Sequence, residues 1–120
     1  MSSKRKKAYI KEFLICCLES SSLYEFYEYA NIEFVNFEYL FNITIYLINN
    51  DIIICYDADG LLTSQEAYEY LKVEENWKKI MGHGELVLVE KIGFKYFNER
   101  VYETEIENGI FPNFEMKNWI

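Results

Sequence analysis

Residues 49–71 read NNDIIICYDADGLLTSQEAYEYL, and the local period changes twice inside this stretch. Asn49, Asn50 and Asp51 are turn formers, and Ile52 to Tyr56 is a short run rich in β-branched residues. Asp57-Ala58-Asp59-Gly60 is then a turn sequence, because short acids accept unusual backbone angles and glycine supplies a positive φ. Thr63 followed three residues later by Glu66 is a capping box, which opens a helix over 64–72 with Ala67, Tyr70 and Leu71 inward. A strand, a tight turn and a capped helix therefore divide a helical first half from the second half of the chain.

The same residues also look like part of an EF-hand calcium loop. With Gly60 at the sixth of twelve positions, the ligand positions fall on Cys55, Asp57, Asp59, Leu61 through its carbonyl, Thr63 and Glu66, and Leu62 takes the apolar anchor position. Asp57, Asp59, Thr63 and Glu66 suit Ca²⁺, whereas Cys55 puts a thiol where a hard cation takes a carboxylate. The IIIC run before it is β-like where an EF-hand has its entering helix. The turn and capped helix explain every residue of the stretch, Cys55 included, so the expectation is no cofactor, with calcium as the alternative.

Working back from this join, Tyr9, Ile10, Phe13, Leu14, Cys17 and Leu18 recur at three- and four-residue intervals, which predicts a first helix running to about Glu19. Residues 1–7 are small and basic and are expected to fray. Ser22 and Glu25 form a second capping-box pattern. The helix after it would turn Leu23, Phe26, Tyr27 and Ala30 inward and leave Tyr24, Glu25, Glu28 and Tyr29 outside. Asn36 is a candidate cap for a third helix with Phe37, Leu40, Phe41, Thr44 and Leu47 at helical spacing. The β-branched run Ile43-Thr44-Ile45 would also suit a strand.

Working forward, Trp77, Ile80 and Met81 suggest a further turn or two of helix before Gly82. Residues 85–91 are apolar on both faces, as a central strand is. Residues 94–97 and 101–107 alternate, and Asn108-Gly109 is a hairpin signal, so a meander is expected there. Pro112 fits only an edge or a position outside the ladder. These elements define an α+β fold class, with N-terminal helices packed on a small, mainly antiparallel sheet from the C-terminal half, in a single domain spanning 1–120.

The composition suits a folded domain: 51% of the 120 residues are hydrophobic and 18% aromatic, with one proline. Three cysteines, Cys16, Cys17 and Cys55, sit in apolar runs without a C-x-x-C pair, which fits buried free thiols in a reducing compartment. No cleavable leader pattern comes after FLICCL, and the longest apolar stretch, 39–48, is too short for a bilayer span. The expectation is a cytoplasmic protein without a membrane partner.

His83, between Gly82 and Gly84, is the only histidine, so neither a zinc cluster nor H-E-x-x-H can be assembled around it. A catalytic His83 working with Glu85 or a cysteine is conceivable, but a polar turn residue accounts for it, and the chain is expected not to be an enzyme.

The net charge of −8 is unevenly spread. Residues 1–11 carry five bases and no acid, 12–71 carry eleven acids and no Lys or Arg, and 72–120 carry seven bases and nine acids. The KRKK tail alone points toward nucleic acid, but the acidic body would repel phosphate. Ordinary surfaces mix signs, so the acid-only block with its tyrosines reads as a face for a basic protein, which it would attract electrostatically. Tyr24, Glu25, Glu28, Glu33, Asp57 and Asp59 are the candidate partner-binding residues.

In size, acidity, aromatic and Asn/Ile-rich composition, and a helical half closed by the DADG turn and helix, the chain resembles bacterial immunity proteins, including those of contact-dependent growth-inhibition systems. That resemblance implies a cytoplasmic inhibitor that occludes a basic toxin domain, commonly a nuclease, and it assigns no residue a role. Two alternatives have other targets. A DNA-mimicking anti-defence protein would be acidic as well, and the helix, strand, turn, strand order at 37–63 echoes a winged helix, which with the calcium loop would suit a regulatory domain.

Overall fold

The computed structural model describes residues 3–18, 21–79 and 86–90. Among them the fold is α+β, with helices α1 (Ser3–Leu18), α2 (Leu23–Ile32), α3 (Phe37–Asn49), α4 (Ser64–Leu71) and α5 (Glu74–Trp77) and strands β1 (Ser21–Ser22), β2 (Ile53–Asp57), β3 (Gly60–Leu61) and β4 (Val87–Glu90). The strands form one antiparallel sheet in the order β1-β4-β2-β3. As expected from its two apolar faces, β4 is central.

In α1 the residues Tyr9, Ile10, Phe13, Leu14 and Cys17 are all buried, and the helix lies against β4. It begins at Ser3, so the basic run expected to fray is helical. Lys and Arg are good helix formers, and this run continues directly into the anchored turn at Tyr9 and Ile10. The core between α1, α2 and α3 is aromatic. Phe13 and Phe26 have ring centroids 4.5 Å apart, and Tyr9 stacks on Tyr29 at 5.4 Å while meeting Tyr39 edge-on at 5.5 Å.

The β-branched run at 43–45 is helical, not extended. Ile43, Thr44, Leu47 and Ile48 are buried in α3, which packs on β2, and the Thr44 hydroxyl donates to the Leu40 carbonyl at 2.7 Å. The helical apolar period outweighs β propensity here, and a buried hydroxyl is satisfied inside its own helix. Asn36 caps α3 as expected, its Oδ1 accepting from Tyr39 N–H at 2.7 Å. Phe37 and Phe41 are half-buried and meet Trp77 and Tyr68.

One expected cap does not form. Ser22 precedes α2 with extended backbone, φ −76° and ψ 161°, but makes no side-chain cap bond. It belongs to β1, and the Leu23 N–H that opens the helix donates to the Leu86 carbonyl at 3.1 Å. The sheet thus satisfies the N1 donor of the helix, a group that a capping side chain does not reach. Strand β1 also draws the sheet into the N-terminal half, where serines carry no alternation.

The turn at 57–60 has the expected form. Tyr56 pairs with Leu61 and Asp57 with Gly60, while Gly60 has φ +126° and Ala58 and Asp59 keep negative φ. Pairing is one-to-one on either side, so Ala58 and Asp59 form a two-residue turn, and glycine supplies the positive φ that returns the chain to the ladder. Trp77 closes the other side: it is fully buried, and its Nε1–H donates to the Leu71 carbonyl at 2.7 Å. Helix α5 is a single turn ending at Trp77. Ile80, Met81, His83 and the meander expected over 94–111 lie outside the described residues. Among the described residues no helix is long and apolar enough to cross a membrane.

Candidate functional site

The sequence of α2 separates into three faces at 100° per residue. Leu23, Phe26 and Ala30 are buried against the core. One flank is held by α5, where the Tyr27 hydroxyl donates to Glu74 Oε2 at 2.6 Å and Lys78 lies 5.7 Å from the Tyr27 ring. The other flank meets α1 through the Tyr29 and Tyr9 stack. Tyr24, Glu25, Glu28 and Ile32 remain on the outward face.

Within that face the Tyr24 hydroxyl is hydrogen-bonded to Glu28, and that bond, reinforced by the carboxylate charge, raises the phenol's pKa. Glu25, in the first turn, complements the positive end of the helix. Glu25 and Glu28 are exposed and have no cation partner among the described residues. Lys72 and Lys78, by contrast, pair with Glu69, Glu74 and Glu75 on α4 and α5.

The candidate residues divide into two groups. Tyr24, Glu25 and Glu28 share the outer face of α2. Glu33 is its C-cap and half-buried; burial first, then the Glu33 charge, pushes Tyr29 up to about 12. Asp57 and Asp59 lie in the β2–β3 hairpin. Ser22 pairs with Val87 and Val87 with Tyr56, so the start of α2 and the hairpin turn stand at the same end of the sheet. Two strand spacings, about 10 Å, separate these rows.

The calcium-loop donors are engaged in local structure. Cys55 is buried, and burial, with the charge of Asp57, pushes its thiol up to about 12. Asp57 Oδ1 accepts from Asp59 N–H at 2.8 Å, and Glu66 Oε1 accepts from Thr63 N–H at 3.0 Å. Glu66 N–H returns a bond to Thr63 Oγ1, completing the capping box. Among the described residues no group of three or more His, Cys, Asp or Glu stands where it could hold a metal ion.

Beyond the candidates, the outward face of α2 continues into two apolar residues. Ile32 is 65% exposed and Phe34 is 85% exposed. Helix α2 ends in a Schellman motif: Val35 N–H donates to the Ala30 carbonyl at 2.8 Å and Phe34 N–H to the Asn31 carbonyl at 3.2 Å. Phe34 therefore takes the left-handed position, φ +58°, where glycine is usual. For an L-residue that conformation costs roughly 1 to 2 kcal/mol. In the segment Ile32-Glu33-Phe34-Val35 only Val35 reaches the core, and no local signal marks the exposed pair, because the glycine that usually announces this turn is absent.

Comparison of the chain with family models, with curated proteins and with solved structures finds no match.

Proposed function

We propose that the protein is an acidic inhibitor of the immunity class, which binds the basic domain of a protein toxin, of nuclease type, and blocks its active site or nucleic-acid channel without chemistry of its own. The observation that carries this reading is the outward face of α2. Tyr24 stands there beside Glu25 and Glu28, whose carboxylates have no cation partner among the described residues, within a segment, 12–71, that holds eleven acids and no Lys or Arg. Such a field accelerates encounter with a basic surface, and tyrosine supplies rigid contact area.

The test is a binding and protection assay with the purified C-terminal domain of the protein encoded by the adjacent reading frame. Supporting results are stoichiometric inhibition of that domain and survival of cells co-expressing the pair. Association should slow at least about tenfold between low and physiological salt, and by a similar factor in the Glu25→Lys/Glu28→Lys variant. Failure to bind that domain rejects the toxin reading. Binding instead to general DNA-handling enzymes, in competition with duplex DNA, replaces it with DNA mimicry. A complex that forms at an unchanged rate in the charge-reversal variant moves the contact to another face.

A further inference from the structure

We propose that Phe34, with Ile32 beside it, is the apolar anchor of the partner interface, and that it docks into an apolar pocket rimmed by Lys and Arg on a basic protein. This inference rests on the inhibitor reading and names the residue that seats the complex.

The position is unusual in both respects that bear on binding. Phe34 is 85% exposed, and its backbone holds a left-handed φ of +58°. A bulky residue there is an outlier whose strain persists only because its surroundings fix it. Here the flanks do so: Val35 is buried and bonded back to Ala30, and Asn36 caps α3. The ring is therefore presented from a backbone pinned on both sides, so little backbone ordering remains for binding to supply.

Its surroundings select the occupant. Glu28 stands one helical turn before Ile32 on the outward face, Glu33 precedes Phe34, and Glu38 is exposed in the first turn of α3. A second copy of this chain, at net charge −8, would bring the same carboxylates against them, and an anionic lipid surface would repel them. A basic protein complements both the rim and the ring. Interface hot spots are enriched in aromatic residues seated in desolvated pockets near the centre of the contact, with a polar rim outside them.

The experiment places a photo-crosslinking phenylalanine analogue at position 34 and, separately, at Leu61, which is 69% exposed on edge strand β3. Each full-length protein is irradiated in its native cells, crosslinked peptides are sequenced, and the purified partner is titrated against Phe34→Gly and Phe34→Asn. The expected result is a crosslink at 34 to an apolar site flanked by Lys or Arg. Phe34→Gly should weaken binding at least about 30-fold, the size of a hot-spot loss, while raising the denaturation midpoint of the free protein. A folding defect therefore cannot explain the lost affinity.

Crosslinks to a second copy, or none at 34, overturn the anchor. If Glu25→Lys/Glu28→Lys abolishes binding and Phe34→Gly leaves it intact, the inhibitor reading stands and the anchor falls. If neither variant changes binding, both fall.

Discussion

Thr63 and Glu66 exchange hydrogen bonds across the start of α4: Glu66 N–H donates to Thr63 Oγ1 at 3.1 Å, and Thr63 N–H to Glu66 Oε1 at 3.0 Å. Two backbone donors that the helix leaves unused are satisfied at once. Thr63→Ala is expected to lower unfolding free energy by about 1 kcal/mol. Glu66→Gln keeps an acceptor oxygen and should cost only a few tenths of that, roughly 0.3 kcal/mol. Urea titrations of the two variants check the pair, and equal losses would refute the reciprocal arrangement.

Calcium competes for these same oxygens. Binding would draw on carboxylates that already accept from Thr63 N–H and Asp59 N–H, with the Cys55 thiol buried at the first ligand position. A site with a dissociation constant of about 1 mM would stabilise the fold by about 1 kcal/mol at roughly 5 mM Ca²⁺. The expected outcome is no shift in the urea midpoint beyond that of a Mg²⁺ control. A calcium-specific gain of that size would restore the loop as a metal site.

The elements legible in the sequence were those whose signals are local. The period of Tyr9, Ile10, Phe13, Leu14 and Cys17, the Asn36 cap, the positive-φ turn at Gly60 and the box at Thr63 each depend on neighbours within a few residues. Ser21 and Ser22 become a strand only because Leu88 and Val87 lie beside them, and serine carries no alternation that foretells this. The bond from Leu23 N–H to the Leu86 carbonyl is equally long-range, and the capping box expected at Ser22 does not form beside it. For the candidate face, helical spacing placed Tyr24, Glu25 and Glu28 together. Phe34 escaped notice because its exposure depends on a Schellman turn that usually announces itself by glycine.

Phe34 and Asp51 occupy equivalent positions. Asp51, at φ +59°, follows α3 in the same motif, with Ile52 N–H on the Leu47 carbonyl at 2.9 Å and Asp51 N–H on the Ile48 carbonyl at 3.1 Å. Short acids tolerate the left-handed region better than phenylalanine does. Replacement by glycine should therefore stabilise more at 34, by about 1 kcal/mol, than at 51, where added freedom of the unfolded chain offsets most of the gain. Thermal and urea unfolding of Phe34→Gly and Asp51→Gly give the comparison directly, and a larger gain at 51 contradicts it.

The Tyr9 hydroxyl is buried and has no hydrogen-bond partner among the described residues. Its ring, stacked on Tyr29 and edge-on to Tyr39, contributes packing that phenylalanine would keep. Tyr9→Phe is expected to raise unfolding free energy by about 1 to 2 kcal/mol, the penalty for burying an unsatisfied polar group. The measurement is the urea midpoint at unchanged slope. A loss of stability would mean that the hydroxyl has a partner, such as a water, which the side chain relies on.

Alkaline pH should unfold the protein through its buried acids. Burial, and then the charge of Asp57, pushes Cys55 from an ordinary value of 9.0 up to about 12; burial, then Glu33, pushes Tyr29 from 10.0 up to about 12. Tyr9 is raised further, chiefly by burial and next by Tyr29. In each case the unfolded chain loses its proton first, so between about pH 9 and 12 the unfolded state binds fewer protons than the native state, and stability falls as pH rises. Below pH 9 these groups are neutral in both states and contribute no slope. Fully shifted, the buried Cys55 adds at most about 1.4 kcal/mol per pH unit to the decline, and the part-exposed Tyr29 adds less because solvent screens it. Cys55→Ala removes one such group, so its stability should fall less steeply than that of the parent protein from about pH 9.5 to 11, whatever its stability at neutral pH. Equal slopes for the two proteins would show that the Cys55 thiol is not protected by burial in the native state.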